Sequence, residues 1–328
     1  LRPPTSYDIL EESTMSLRRK LSRFINLSII FVLSLSSYGF HDDSKKKKAV
    51  SNATPILWQE PSDIASRDLY LGSGGETMKP DLSKITFMKE ETGGYSKKYR
   101  VRDGSGRVWI AKLSSESQPE VASTRLVWAL GYNTEVCYLV PQVTIEGKGT
   151  FQNVKFEARP DGVKRLDIWR WDNNPFVGSR EFQGLKVLMI LLENWDIKDD
   201  NNKILLVHDG EGGKDELRYI ISDLGATFGK TGNFITRSRN KPEDFIKAKF
   251  INEVKGDRID FRYSGKRQNI FNDITVEQAR WVGDLLGRLS DQQIKDAFRA
   301  GGYTPEQIQM LADAMKTRIT ELTTLPMR

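Results

Sequence analysis

Between Lys84 and Arg159 the chain is written in short runs of β-branched and aromatic residues. After Pro160 it is written in helices. The runs "KITFMKEET", "KKYRVRD", "GRVWIAKL", "VCYLVPQVTIE" and "FQNVKFEAR" suit a pleated, half-buried surface. Glycine-bearing turns separate them: "GG" at 93–94, "DGSG" at 103–106 and "EGKG" at 146–149. The third run is followed by one helical segment, "PEVASTRLVWAL", with Pro119 in its first turn and Gly131 just past its end. The first unit is therefore expected to be an antiparallel sheet carrying one helix.

The second half begins with a helix starting near Ser179. Its apolar stripe is Val187, Leu188, Leu191, Leu192 and Trp195, and Met189 and Ile190 widen that stripe, so the helix is buried on most sides. Three later helices open on capping boxes: Thr275 with Gln278, Ser290 with Gln293, and Thr304 with Gln307. The fold class that follows is α+β, a small antiparallel sheet lobe with one helix plus a larger, mainly helical lobe. The expected boundaries are residues 1–40 for an N-terminal extension and signal peptide or membrane anchor, 41–81 for a linker, 82–159 for the sheet lobe and 160–328 for the helical lobe.

Composition narrows the chemistry. With 328 residues, 38% hydrophobic and 29% charged, the chain is an ordinary globular one. A net charge of +6 does not indicate nucleic acid. Cys137 is the single cysteine, and the histidines are His41 and His208. This excludes an intrachain disulfide framework and a cysteine-based zinc site, and leaves a histidine triad little to work with. The stretch from Met15 to Phe40 has a basic start, an apolar run and then small residues, the layout of a secretory signal. Met15 is the expected start of translation. Cleavage after Gly39 and retention as an anchor both stay open, so the expected location is secreted, periplasmic or membrane-anchored and extracytoplasmic, although Lys45 to Lys48 work against clean export.

Four motifs stand in order along the chain. "VWIAKL" ends the third strand on Lys112, "PEVAS" puts Glu120 in the first turn of the following helix, "DIKDDN" follows the buried helix, and "DLG" follows the strand-like "LRYII". This order resembles the protein-kinase fold, whose corresponding motifs read V-A-I-K, D-L-K-P-E-N and D-F-G. The resemblance covers roughly residues 82–322. It implies that Lys112 pairs with ATP phosphates and with Glu120. It also implies that Asp196 orients or deprotonates the acceptor hydroxyl, that Lys198 lies near the transferred phosphoryl, and that Asn201 and Asp223 hold Mg²⁺, or Mn²⁺ in its place. Asn202 is an alternative to Asn201. Gly93 and Gly94 in "TGGYSKK" would cover the phosphates, and backbone groups of Glu157 to Arg159 would meet the adenine edge.

The departures matter as much. Asn194 and Trp195 stand where ordinary protein kinases have His-Arg before the aspartate, no A-P-E follows "DLG", and the glycine loop is short. These changes point toward atypical kinases: the HipA-type, phosphoinositide-kinase-like and secretory-pathway groups. The acceptor is then a protein or small-molecule hydroxyl. A catalytically inactive, kinase-fold ATP-binding or scaffold protein is the alternative. Residues 230–267 hold eleven Lys or Arg against five acids, an excess equal to the net charge of the whole chain. That excess suits an acidic acceptor or a solvated loop. "HDGEGGKDE" reads as a hairpin tip and "FINEVKGDRIDFRY" as a hairpin turning at Lys255 to Asp257. "WRWDNNPF" reads as a packed turn or a substrate-side loop.

Overall fold

The computed structural model describes residues 52–94, 96–208 and 213–326. The Met15 to Phe40 segment, His41, Lys45 to Lys48 and part of the 208–216 hairpin tip lie outside the described residues. The first strand, β1 (Thr54–Ile56), pairs in parallel with a strand from far down the chain. Then come β2 (Thr86–Glu91), β3 (Lys97–Arg102), β4 (Val108–Leu113), β5 (Cys137–Ile145) and β6 (Gly149–Ala158). They form one antiparallel sheet in the order β2-β3-β4-β6-β5. All five expected runs are in it.

Alternation along these strands sorts the two faces. Val101, Trp109, Ala111, Val154 and Phe156 fill the apolar core on one side. Lys112, Lys155 and Glu157 are out of step with them and point to the other, where helix α1 (Ser117–Ala129) packs. Register puts Lys112 directly opposite Lys155 on adjacent strands. Like charges so placed repel, which makes a carboxylate between them a requirement of the fold.

The second half is built on α2 (Arg180–Leu191). Ser179 caps it by accepting from the Phe182 N–H, and ten of its twelve residues are buried. Around it stand α3 (Pro242–Lys247), α4 (Val276–Leu286), α5 (Asp291–Ala300) and α6 (Pro305–Thr323). The three expected capping boxes are all formed. A four-stranded sheet, β1-β9-β8-β7, adds β7 (Val163–Arg165), β8 (Asn202–Val207) and β9 (Glu216–Ile221). The expected later hairpin is β10 (Ile251–Lys255) with β11 (Arg258–Phe261). The architecture is α+β, an antiparallel sheet lobe with one helix and a mainly helical lobe.

One expectation is corrected. Residues 54–81 are not a structureless linker: Leu57, Ile64 and Leu69 are buried, and the Gln293 amide donates to the Ile64 and Arg67 carbonyls at 2.8 and 2.9 Å. Their apolar anchors are too widely spaced to show a period, so composition hides them. Of the two readings of "WRWDNNPF", the packed turn is the one found. Trp169 and Trp171 are buried against each other and Phe182, and the Trp169 indole donates to the Ile220 carbonyl at 2.9 Å. Truncating Leu69 to Ala is expected to cost about 2–4 kcal/mol, measured by chemical denaturation. An unchanged midpoint would return residues 54–81 to a solvated linker.

Candidate active site

Glu120 lies one turn into α1, where its carboxylate faces the sheet. Its Oε2 accepts from Lys112 Nζ at 2.8 Å and its Oε1 from Lys155 Nζ at 2.6 Å. Lys112 also reaches Glu116 Oε2 at 3.3 Å and Asp223 Oδ1 at 3.5 Å. Burial works against the Lys112 charge, but Glu120, Asp223 and Glu116 outweigh it and hold the ammonium above its ordinary range. One lysine thus ties the sheet, the helix and the "DLG" loop together.

The loop bearing Asp196 begins where α2 ends. Glu193 has φ +55°, its N–H donates to the Ile190 carbonyl, and the Asn194 N–H reaches back to Met189. These paired bonds are a Schellman turn with glutamate where glycine is usual, at a strain of about 1–2 kcal/mol. The Glu193 carboxylate compensates by accepting from the Thr231 N–H at 2.7 Å and pairing with buried Arg318 at 3.4 Å. The chain leaves the helix sharply. Asp196 then receives Lys198 on Oδ2 at 3.1 Å and Lys266 on Oδ1 at 2.8 Å. Burial alone would raise its carboxyl, but hydrogen bonds from Lys266 and Lys198 hold it below the usual range.

Asn201 donates its amide N–H to the Asp196 carbonyl at 2.7 Å. The Ser222 N–H donates to the Asn201 carbonyl at 2.7 Å, so the β8–β9 pairing brings Asn201 beside Asp223. The Asn202 amide oxygen is buried without a hydrogen-bond partner among the described residues. The amide N–H of this buried residue donates to the Trp169 carbonyl at 3.0 Å. Gly225 packs against Glu116, where an added Cβ would lie 2.5 Å from the Glu116 Cβ, so this position of "DLG" has no room for a side chain. Gly93 and Gly94 form the β2–β3 turn. Gly94 has φ +80°, which only glycine adopts freely, and Ser96 just beyond donates to Glu116 at 3.2 Å.

At the expected adenine edge, two backbone donors already have partners. Glu157 lies inside the central strand β6, the Ala158 N–H donates to the Val136 carbonyl and the Arg159 N–H to the Val108 carbonyl, both at 2.9 Å. The sheet has already taken these donors. The side chains of Glu157 and Arg159 pair instead with each other, at 2.5 Å.

Sequence reasoning missed four groups. Lys155 bridges Glu120 to Glu157, the latter at 2.8 Å. Glu116 pairs with Lys112 and with Arg239, the latter at 2.6 Å, and Lys266 reaches Asp196. The one local signal was "VKFE", in which Lys and Glu alternate with core residues on a central strand, a pattern that buries charge when a helix covers the second face.

Behind Lys155 the ion pairs continue through Glu157 and Arg165 to buried Glu135. Burial and the neighbouring Glu157 carboxylate push Glu135 up to about 8, with Arg165 pulling the other way. Lys155 and Arg159 overcome burial to keep Glu157 well below its ordinary value.

No protein-family model matches the chain, and no curated protein matches it in sequence. Among solved structures it is similar to the Helicobacter pylori proinflammatory kinase CtkA at 12% identity and a TM-score of 0.47, covering 74% of this chain and 96% of that one. It is also similar to the Rio2 kinase of Chaetomium thermophilum in its ADP/Mg²⁺-phosphoaspartate complex, at 12% identity and a TM-score of 0.30, covering 73% of this chain and 72% of that one. Neither likeness assigns an activity.

Glu135 offers a test through pH. Its folded value of about 8 lies above the ordinary 4.5, so the stability it contributes is full below 4.5 and is lost as pH rises through 8. Denaturation midpoints are therefore expected to fall between about pH 5 and pH 8 in the parent, and to fall less in Glu135→Gln. Equal slopes would remove Glu135 as the cause.

Proposed function

We propose that the protein is a Mg²⁺- and ATP-dependent kinase that transfers a phosphoryl group to a protein or small-molecule hydroxyl. The observation that carries this reading is Lys112, held at 2.8 Å from Glu120 and 3.5 Å from Asp223, so that a sheet cation meets both the helix acid and the loop acid. Phosphoryl transfer asks little covalent work of a protein and much charge neutralisation. Lys112 supplies that at the phosphates. Asp196, held ionised, takes the hydroxyl proton while the hydroxyl oxygen bonds to the terminal phosphorus and the bond to the bridging oxygen breaks, releasing ADP. Lys198, beside Asp196, screens the phosphoryl oxygens.

An amide oxygen from Asn201 and a carboxylate from Asp223 are hard donors that suit Mg²⁺, and Mn²⁺ equally. When bound, the ion neutralises charge on the phosphates. Asn202, turned to Trp169, is not part of this reading.

The acceptor side is read from charge. Much of the basic excess in 230–267 is paired internally, Arg239 with Glu116, Arg267 with Asp199 and Lys255 with Glu253 and Asp260. Arg237, stacked 4.0 Å over Trp195, and Lys266 flank Asp196, next to the exposed Phe234 and Ile235. This supports an acidic acceptor. Export or membrane anchoring through Met15 to Phe40 belongs to the same proposal.

A second reading, a nucleotide-binding scaffold without transfer, is favoured by one contact: the Lys266 ion pair covers an Asp196 oxygen that the hydroxyl would need. Two variants separate the readings. Asp223→Ala is expected to fold yet to lose the Mg²⁺-dependent rise in melting temperature with ATP. Equal stabilisation would remove Asp223 from the site. Asp196→Asn is expected to keep nucleotide affinity while turnover falls by about two to four orders of magnitude. A parent that binds ATP and transfers to no acceptor, acidic or neutral, would leave the scaffold.

A further inference from the structure

Lys155 is not among the residues that a phosphoryl-transfer site requires, yet it is a deeply buried cation beside this one. Its side chain is 2% exposed, as is that of Glu120, and it holds Glu120 Oε1 at 2.6 Å and Glu157 Oε2 at 2.8 Å. Isolated buried ions cost several kcal/mol each, so an arrangement like this persists only when every charge is matched. Matching here has a directional consequence. Glu120 has two carboxylate oxygens, and with Lys155 on one, the other is left to Lys112 alone.

We propose that Lys155 is a positioning residue that fixes Glu120, and through it Lys112, in the phosphate-binding arrangement before any nucleotide arrives. The inference rests on the nucleotide site described above. Without Lys155, Glu120 keeps a single partner, and Lys112 is drawn among three acids, Glu120, Glu116 and Asp223. With Lys155, one unit of that negative charge is met from the neighbouring strand, and the Lys112 ammonium stays available to phosphate. Lys155 comes from β6 and Glu120 from α1, so the same contact holds the helix against the sheet. The site is then assembled without a helix movement or a modification to complete it.

The test uses the full chain and two ligands, Mg²⁺-ATP and adenosine, which has no phosphate. Lys155→Met leaves Glu120 with Lys112, and Glu157 with Arg159 and Arg165, so no acid is orphaned. It is expected to weaken Mg²⁺-ATP binding about tenfold by calorimetry while adenosine binds as in the parent. Because Lys155 acts through Glu120, Lys155→Met combined with Glu120→Gln is expected to bind no more weakly than Glu120→Gln alone. Lys155→Gln, which still donates a hydrogen bond, is expected to lie between Met and parent, and serves if Lys155→Met does not fold. Unchanged Mg²⁺-ATP affinity, parallel losses for both ligands, additive losses in the double variant, or failure of both single variants to fold would each overturn the proposal. A parent that binds neither ligand would overturn the nucleotide site itself, and this inference with it.

Discussion

Two lysines face each other across adjacent strands, with one carboxylate between them. Lys112 and Lys155 are in register on β4 and β6, and α1 delivers Glu120 into the gap between them, where it is the carboxylate that both share. A slide of the helix by one turn would take that shared carboxylate from two buried cations, leaving Lys155 with Glu157 and Lys112 with Asp223. That single carboxylate fixes the angle of α1 on the sheet. Through Lys112 it also fixes the distance to Asp223, and so the relation between the sheet and the loops of the helical lobe.

The helical lobe meets this demand with rigidity of its own. Arg318 on α6 is buried and donates to the Leu191, Phe245 and Ala248 carbonyls while pairing with Glu193. One guanidinium thereby closes the C-terminal end of α2, pins the chain around α3 and neutralises the acid that holds the left-handed turn. The Asp196 loop leaves that turn in one direction only. Asn201 binds its start and the Ser222 N–H binds Asn201, so the Asp196 loop is tied to the strand end that leads into Asp223.

How much of this was legible in the sequence depended on range. The strands, the lone helix, the capping boxes and the order of Lys112, Glu120, Asp196 and Asp223 are local or nearly so, and were read directly. Lys155 was not, because a lysine in alternation with Val154 and Phe156 looks like a solvated face until the helix covering that face is known. Glu116 with Arg239, and Asp196 with Lys266, join residues 123 and 70 positions apart. No pattern marks such pairs. The three-residue strand β1 was hidden for the opposite reason, being too short to carry a period, and the sheet partners of Ala158 and Arg159, Val136 and Val108, lie elsewhere in the chain.

The central claim is that Lys112 and Lys198 face the phosphates of one nucleotide. An acyl-phosphate ester of ATP measures this directly, since a lysine amine within reach of the phosphates takes the acyl group as a stable amide and releases ATP. Peptide mapping by mass spectrometry should find Lys112 and Lys198 labelled, with labelling suppressed by excess Mg²⁺-ATP. Labelling confined to exposed lysines such as Lys247 and Lys255, or labelling that Mg²⁺-ATP does not suppress, would contradict the account.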